Sequence, residues 1–318
     1  MTKTSVAVVG SGFVGGSLSQ VLAERGFDVI NYDKAGKCAP GCIKPTYQTK
    51  IGVQQPSTCI ASVIRFCNLQ SNFSNIVFVC LPTPMESDGK ADLSIVEGVL
   101  SELAKTKCDL IAVVKSTVPP GSIERWNKQY ENTSLRITFN PEFLREATAL
   151  EDMRNQDRII LGGPKDSVNK VKQLFQQAFP DVKIVKTSST NAELTKYMTN
   201  CFLATKLSLA NEFYQICEKL AESGLDVDYD RTVECAKLDK RLGNSHLSVP
   251  SFEKDENGVQ LRGWGLSCFA KDINALSYVA RELGIDPKVM TAAFLKNVEV
   301  RPGRDWEKLV GRAVSEKK

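Results

Sequence analysis

The stretch TSVAVVGSGFVGGSLSQVLAERGFDVINYD, Thr4 to Asp33, leaves the chain few folds to choose from. Val6 to Val9 read as a buried strand, and Gly10, Gly12 and Gly15 spell G-x-G-x-x-G. The helical pattern that follows runs to Arg25, Gly26 stops it, and Asp28 to Tyr32 form a second strand ending in Asp33. The first glycine permits the tight turn, the second lets a pyrophosphate approach the backbone, and the third lets helix and strand pack. The phosphates then lie on the helix N-terminus, where free N–H groups and the dipole favour an anion. Asp33 would accept hydrogen bonds from ribose hydroxyls and repel a 2′-phosphate, so NAD is expected rather than NADP. The glycines alone are weak evidence; strand, glycines, helix, strand and acid in this order are specific.

Strand and helix patterns keep alternating. NIVFVCLPTP, DLIAVVKSTVPPG, RITFNPEFLRE, DRIILGG and VKIVK each supply an apolar strand, several closed by turn residues. Such strands deliver side chains to the carboxyl edge of a parallel sheet, where ligands bind. Between Lys34 and Asn75 periodicity is weak, and a loop with one short helix is expected. The cofactor set expected from this half, with one later residue, is Gly10, Gly12, Phe13, Val14, Gly15, Asp33, Lys34, Pro82, Thr83, Thr117 and Lys271.

From Thr190 the period changes to about 3.6, through TNAELTKYMTNCFLATKLSLANEFYQICEKLAESG. Thr190 and Glu193 resemble a capping box, and Gly224 is a stop. A helix of that length spans about 50 Å, more than one domain usually needs. It is expected to connect two regions and to supply a subunit interface. Shorter helices are expected near Tyr229–Lys237, Asp272–Leu283 and Pro287–Val298, a polar loop over Ser251–Arg262, and a short amphipathic helix in DWEKLVGRAVSEKK. The fold class is therefore α/β. A Rossmann-type doubly wound parallel sheet over residues 1–189 precedes a connecting helix over 190–224 and a helical region over 225–318.

Composition narrows the function. The chain of 318 residues is 42% hydrophobic and 25% charged, as a globular protein is, and its net charge is +4 without a long basic tract. No nucleic-acid partner is expected. No apolar run nears the ~18–20 residues that span a bilayer, so no membrane partner is expected and the cytoplasm is the expected location. The ten cysteines are then reduced thiols by default. Their spacing is not that of a zinc module, the one histidine, His246, is remote from them, and no metal is expected.

Two features carry chemistry. In RGWGLSCFAKDI, Cys268 follows a glycine-rich run and opens an amphipathic segment. Glycines allow close approach and a helix start favours a thiolate. From these residues alone it is either a nucleophile or a buried thiol. Lys196 and Asn200 are four apart and share a helix face. Taken on that helix alone, they are a solvated lysine beside a surface asparagine.

With these pieces placed, the chain resembles the nucleotide-sugar 6-dehydrogenase family. The resemblance rests on GSGFVG, LPTP with DGKADLSIVE, VVKSTVPPG, NPEFLREATALED, ELTKYMTN, LANE, DKRLG and GLSCFAKD, in that order. It implies oxidation of a sugar nucleotide's C6 alcohol to a carboxylate with two NAD, UDP-glucose to UDP-glucuronate being the expected case. It implies that Cys268 adds to the C6 aldehyde and carries a thioester that water hydrolyses. Lys196 and Asn200 would stabilise charge on the C6 oxygen, as an oxyanion hole does. Asp272 and Thr117 would hold a water, and Glu146 would serve as general base, with Glu142 one helical turn earlier acting with it. Phe143, Leu144 and Arg145 would line the sugar site, joined by Glu146, Lys196, Asn200 and Gly265. Arg241 would reach a neighbouring subunit's substrate, which implies a homodimer.

The sequence departs from that family in three places. Leu266 replaces a glycine before Ser-Cys-Phe and Trp264 replaces a smaller aromatic, so a reshaped sugar site is expected. The loop Ser251–Arg262 is long. The family's C-terminal nucleotide-gripping domain has no counterpart before Lys318, which leaves room for a separate chain that supplies it. Two other readings fit parts of the pattern. A β-hydroxyacid-type NAD dehydrogenase shares the Lys-x-x-x-Asn pair, but not NPEFLRE or SCFAKD. A cofactor-binding pseudoenzyme or subunit suits the missing domain, but has no use for Cys268, Lys196, Asn200 and Asp272 together.

Overall fold

The computed structural model describes residues 3–48, 54–57 and 59–316, which form two compact units. The first holds residues up to Thr83 and Leu93–Lys196; the second holds Pro84–Asp92 and Tyr197 onward.

The first unit is built on a seven-stranded sheet. Its strands are β1 (Ser5–Val9), β2 (Asp28–Tyr32), β5 (Phe73–Val79), β6 (Leu110–Val114), β7 (Leu135–Phe139), β8 (Arg158–Gly162) and β9 (Lys183–Thr187). They lie in the order β2-β1-β5-β6-β7-β8-β9, all parallel except β7 against β8, which pair through Phe139 and Gly162. The central strands read as continuous apolar runs because both faces are covered. Val6, Val8, Phe78 and Val113 pack in one cluster, and Ala7, Val9, Val77, Val79, Ala112 and Val114 in the other. Alternate residues of one strand thus enter opposite cores, as the pleat requires. The helices are α1 (Phe13–Glu24), α2 (Ile60–Asn68), α3 (Ser94–Lys105), α4 (Ser122–Gln129), α5 (Ala149–Arg154) and α6 (Lys165–Ala178).

The segment expected as loop and helix holds more structure than its weak periodicity suggests. α2 is the helix, but β3 (Thr46–Gln48) and β4 (Gln54–Pro56) also pair antiparallel. Residues 49–53 and 58 of this segment lie outside the described residues.

α7 (Ser189–Glu222) runs for 34 residues, is followed by Gly224 at φ +87°, and passes from the first unit into the second after Lys196. Leu194, Met198, Phe202, Leu209, Phe213 and Leu220 stand exposed along it. At 100° per residue they fall within an arc of about 100°, one apolar stripe.

The second unit adds α8 (Tyr229–Ala236), α9 (Cys268–Glu282) and α10 (Lys288–Val300). Its core gathers Trp264, Phe269, Phe294 and Trp306 around Ala204, Ala270 and Ala293. The Ser251–Arg262 loop folds back on itself through Leu261 N–H to Glu253 O and Asp255 N–H to Val259 O. The expected C-terminal helix is only a 3-10 turn, Asp305–Lys308. Gly311, at φ +76°, turns the chain, and Val310–Val314 form a bridge instead. Ala313 and Ser315 then bond the backbone of Met85. Lys317 and Lys318 lie outside the described residues.

Candidate active site

The glycine turn of the first unit leaves no room for side chains. A Cβ on Gly10, whose φ is +95°, would sit 2.2 Å from Cys80 O, and one on Gly15 would sit 2.0 Å from Gly10 O. A Cβ on Gly12 would meet nothing within 4 Å. Phe13 and Val14 are the first residues of α1, so its first N–H groups lie beside Gly12. Asp33, at the end of β2, accepts Ser11 N–H on Oδ2 and Ala35 N–H on Oδ1, each at 2.8 Å. Lys34 beside it is exposed. An open helix start, a close-packed turn and an acid fixed at the strand end fit a dinucleotide with an unphosphorylated ribose. Pro82 is exposed and Thr83 buried, and the Thr83 hydroxyl donates to Thr117 O at 2.8 Å.

Next to this turn the ends of β6 and β7 and the start of α7 gather a buried polar group. Lys196, 3% exposed, donates Nζ to Glu142 Oε1 at 2.9 Å and to Glu142 O at 2.6 Å. Lys115, also buried, donates Nζ to Asn140 Oδ1 at 2.7 Å. Burial pushes the Glu142 carboxyl up, but the Lys196 ammonium and the Leu144 N–H outweigh it and hold the group below the ordinary carboxylate range. Burial pulls Lys115 down. The surface reading of Lys196 therefore fails, because the helix turns this face into the protein and not toward solvent.

The expected helical turn between Glu142 and Glu146 is absent. Pro141 to Arg145 are not helical, and Glu146–Thr148 begin a 3-10 turn. Glu142 is committed to Lys196, whereas Glu146 is half-buried at the start of that turn. Phe143 lies between Arg158, 4.3 Å from its ring centre, and Lys196, at 5.5 Å. Arg145 is exposed and held by Asp152, with Nη2 to Oδ1 at 2.6 Å.

The capping box is also absent. Glu193 reaches away from its own helix: Oε2 accepts Gly121 N–H at 2.6 Å and Oε1 accepts Ile123 N–H at 2.8 Å. It therefore caps α4, while Thr190 donates to Glu124.

In the second unit Cys268 is the first residue of α9, half-buried, at the N-terminus of a 15-residue helix. Asp272 follows one turn later on the same face. Its buried carboxylate accepts Asn200 Nδ2 at 2.6 Å and pairs with Lys271 Nζ at 2.5 Å. Asn200 is buried, not a surface residue. Trp264 is 2% exposed and donates Nε1 to Ala204 O and the Ser208 hydroxyl, so its bulk fills the core. Leu266 takes φ +57°, a conformation that favours glycine. A Cβ on Gly265 would meet the Arg301 guanidinium at 2.2 Å. Arg241 is exposed and pairs with Asp239.

Sequence reasoning passed over Lys115, Asn140, Asn297, Arg301 and Asp305, and gave Glu193 a cap on the wrong helix. A lysine directly after the apolar run of β6 was the available signal for the first. The others interact across the fold, where spacing gives no hint.

The glycine turn, the fixed acid of β2 and the parallel sheet define an NAD-binding dehydrogenase unit. The chain belongs to the UDP-glucose/GDP-mannose dehydrogenase family: the model of its NAD binding domain matches residues 4–179, and that of its central domain residues 190–299. The UDP-glucose 6-dehydrogenase of Rickettsia typhi is 31% identical over 94% of this chain and 68% of its own. That of Haloferax volcanii is 31% identical over 94% and 70%. The chain thus spans about two thirds of the length of these curated relatives. Among solved structures, a UDP-glucose dehydrogenase from Pyrobaculum islandicum is similar at TM-score 0.69 and 27% identity, covering 94% of this chain and 68% of that one. A 3-hydroxyisobutyrate dehydrogenase from Mycobacterium tuberculosis shares the fold at TM-score 0.66 and 16% identity, covering 97% of this chain and 99% of that one.

Proposed function

We propose that this chain carries out the four-electron oxidation of a nucleotide sugar's C6 alcohol to a carboxylate, with UDP-glucose as substrate and UDP-glucuronate as product. NAD, when bound, accepts a hydride in each of the two oxidations. Gly10, Gly12, Gly15, Phe13, Val14 and Asp33 hold it, with Lys34, Pro82, Thr83, Thr117 and Lys271 completing its surroundings. The observation that carries the reading is that Cys268 opens α9 one turn before an Asp272 tied to Asn200.

The first oxidation leaves a C6 aldehyde. The Cys268 thiolate adds to its carbon, forming a C–S bond, and the carbonyl electron pair moves to oxygen. The Lys196 ammonium and the Asn200 amide stabilise that oxygen. Loss of the second hydride leaves a thioester on Cys268. Water, held by Asp272 and Thr117 and deprotonated by Glu146, adds to the thioester carbon; the C–S bond breaks and the thiolate is restored. Glu142, ion-paired and depressed, is a poor base and keeps Lys196 in place. Phe143 to Arg145 and Gly265 contribute to sugar binding.

The exposed apolar stripe of α7 supports a homodimer, with Arg241 reaching the partner's substrate. No helix among the described residues is long and apolar enough to cross a membrane; the cytoplasm is the location proposed.

The test is NADH formation against a panel of UDP- and GDP-sugars, with stoichiometry. Two NADH per UDP-glucose are expected. One NADH per sugar, retained in Cys268→Ala, would restore the single-oxidation reading.

A further inference from the structure

The last turn of α10 and its C-cap carry two side chains that bind backbone just upstream of Cys268. Asn297, fully buried, accepts Trp264 N–H on Oδ1 at 2.7 Å and donates Nδ2 to Trp264 O at 2.9 Å. A Cβ on Gly263, whose φ is +67°, would fall 2.3 Å from that same oxygen. One turn later Arg301, 3% exposed, extends Nη1 toward Arg262 O at 3.4 Å and presses its guanidinium on the Gly265 backbone.

The guanidinium is itself immobilised. Asp305 takes Nε on Oδ1 at 2.6 Å and Nη2 on Oδ2 at 2.9 Å, and Glu253 lies 2.5 Å from Nη2. Asp305 Oδ2 also faces Leu266 N–H at 3.5 Å. Arg262, Gly263, Trp264, Gly265 and Leu266 are thus each met by α10, by its C-cap Arg301 or by Asp305. The Ser267 side chain makes no capping hydrogen bond at the start of α9. The backbone that leads into the helix is held from upstream.

We infer that Asn297 and Arg301 are positioning residues for the Cys268 thiol, holding the Arg262–Leu266 backbone so that Cys268 stands at the first residue of α9. There the helix N-terminus favours the thiolate. The functional weight of the inference rests on Cys268 being the nucleophile. A buried, bidentate guanidinium suits the task because its planar fork fixes direction, which lysine does not.

The experiment labels the full chain with iodoacetamide at one pH and reads the rate at Cys268 by peptide mass spectrometry, with exposed Cys235 as internal reference. Arg301→Lys keeps the charge and loses the fork. Asp305→Asn loosens the guanidinium at a side chain that is 34% exposed, so it keeps the test open should Arg301→Lys not fold. Both are expected to lower the Cys268:Cys235 ratio, by about tenfold or more for Arg301→Lys, and to lower kcat with NAD affinity unchanged. A ratio that stays the same or rises in the folded variants overturns the inference. A ratio that falls while NADH formation is untouched upholds the positioning role and instead sinks the nucleophile reading.

Discussion

Glu193, in the first turns of α7, accepts the backbone N–H of Gly121 at 2.6 Å and so joins two segments far apart in sequence. Burial pushes its carboxyl up to about 7, against the pull of the Ile123 and Gly121 N–H donors and of Arg125, with Glu124 adding to the rise. A raised carboxyl stabilises the fold while protonated. Its contribution is full below the ordinary carboxylate range and is lost as pH rises through about 7.

Wild-type stability is therefore expected to lose up to ~3 kcal/mol from this group between about pH 4.5 and 7. Glu193→Gln should flatten that slope in denaturant titrations. An unchanged slope would show that the pair of N–H donors keeps Glu193 ionised throughout.

Lys196 and Glu142 form a buried pair, so removing one partner strands the other. Lys196→Ala should cost about 3–5 kcal/mol in chemical denaturation and abolish NADH formation. Lys196→Met combined with Glu142→Gln should recover most of the stability and none of the activity. Because the Glu142 carboxyl is depressed, its stabilising contribution is expected to be full above the ordinary carboxylate range and to be lost as pH falls below that range toward the depressed folded value.

Asp33 sets the expected preference for NAD. Asp33→Ala should weaken NAD binding, measured by titration, without unfolding the chain. Equal affinity of the wild type for NAD and NADP would contradict the assignment.

Cys268→Ser should separate the two oxidations. A serine hydroxyl can add to an aldehyde, but its ester hydrolyses far more slowly than a thioester. Intact mass should rise by the sugar nucleotide, and steady-state NADH formation should fall by several orders of magnitude. Cys201, Cys217 and Cys235 changed to serine should alter stability at most.

Leu266, at φ +57°, occupies backbone space that costs a side chain roughly 1–2 kcal/mol. Leu266→Gly should stabilise the fold by about 1 kcal/mol after the entropy of the freer unfolded chain, read as a higher denaturation midpoint. A lower midpoint would mean that the half-exposed leucine packs better than its backbone is strained.

The parallel sheet, the glycine turn and the long helix were legible because each rests on a local period. Val6 to Val9, the spacing of Gly10, Gly12 and Gly15, and the 3.6 repeat after Thr190 each act within one element. What depends on distant partners was not legible. Thr190 and Glu193 have capping-box spacing, yet Glu193 serves α4. Glu142 and Glu146 have helical spacing, yet Pro141 begins a non-helical stretch. Lys196 looks like a surface lysine until Glu142, from another part of the sheet, is placed beside it.

The excursion Pro84–Asp92 has a consequence for how the molecule is made. Ser315 bonds Asp92 across 223 positions, and Met85 exchanges backbone hydrogen bonds with Ala313 and Ser315. During synthesis the earlier segment leaves the ribosome long before its partners exist. The sheet of the first unit can close around its own strands by then, since domains fold as the chain emerges. The second unit cannot: Pro84–Asp92 can close its own turn, through Asp92 N–H to Pro84 O and Glu86 N–H to Lys90 O, but its bonds to Ala313 and Ser315 must wait until nearly the last described residue has been translated.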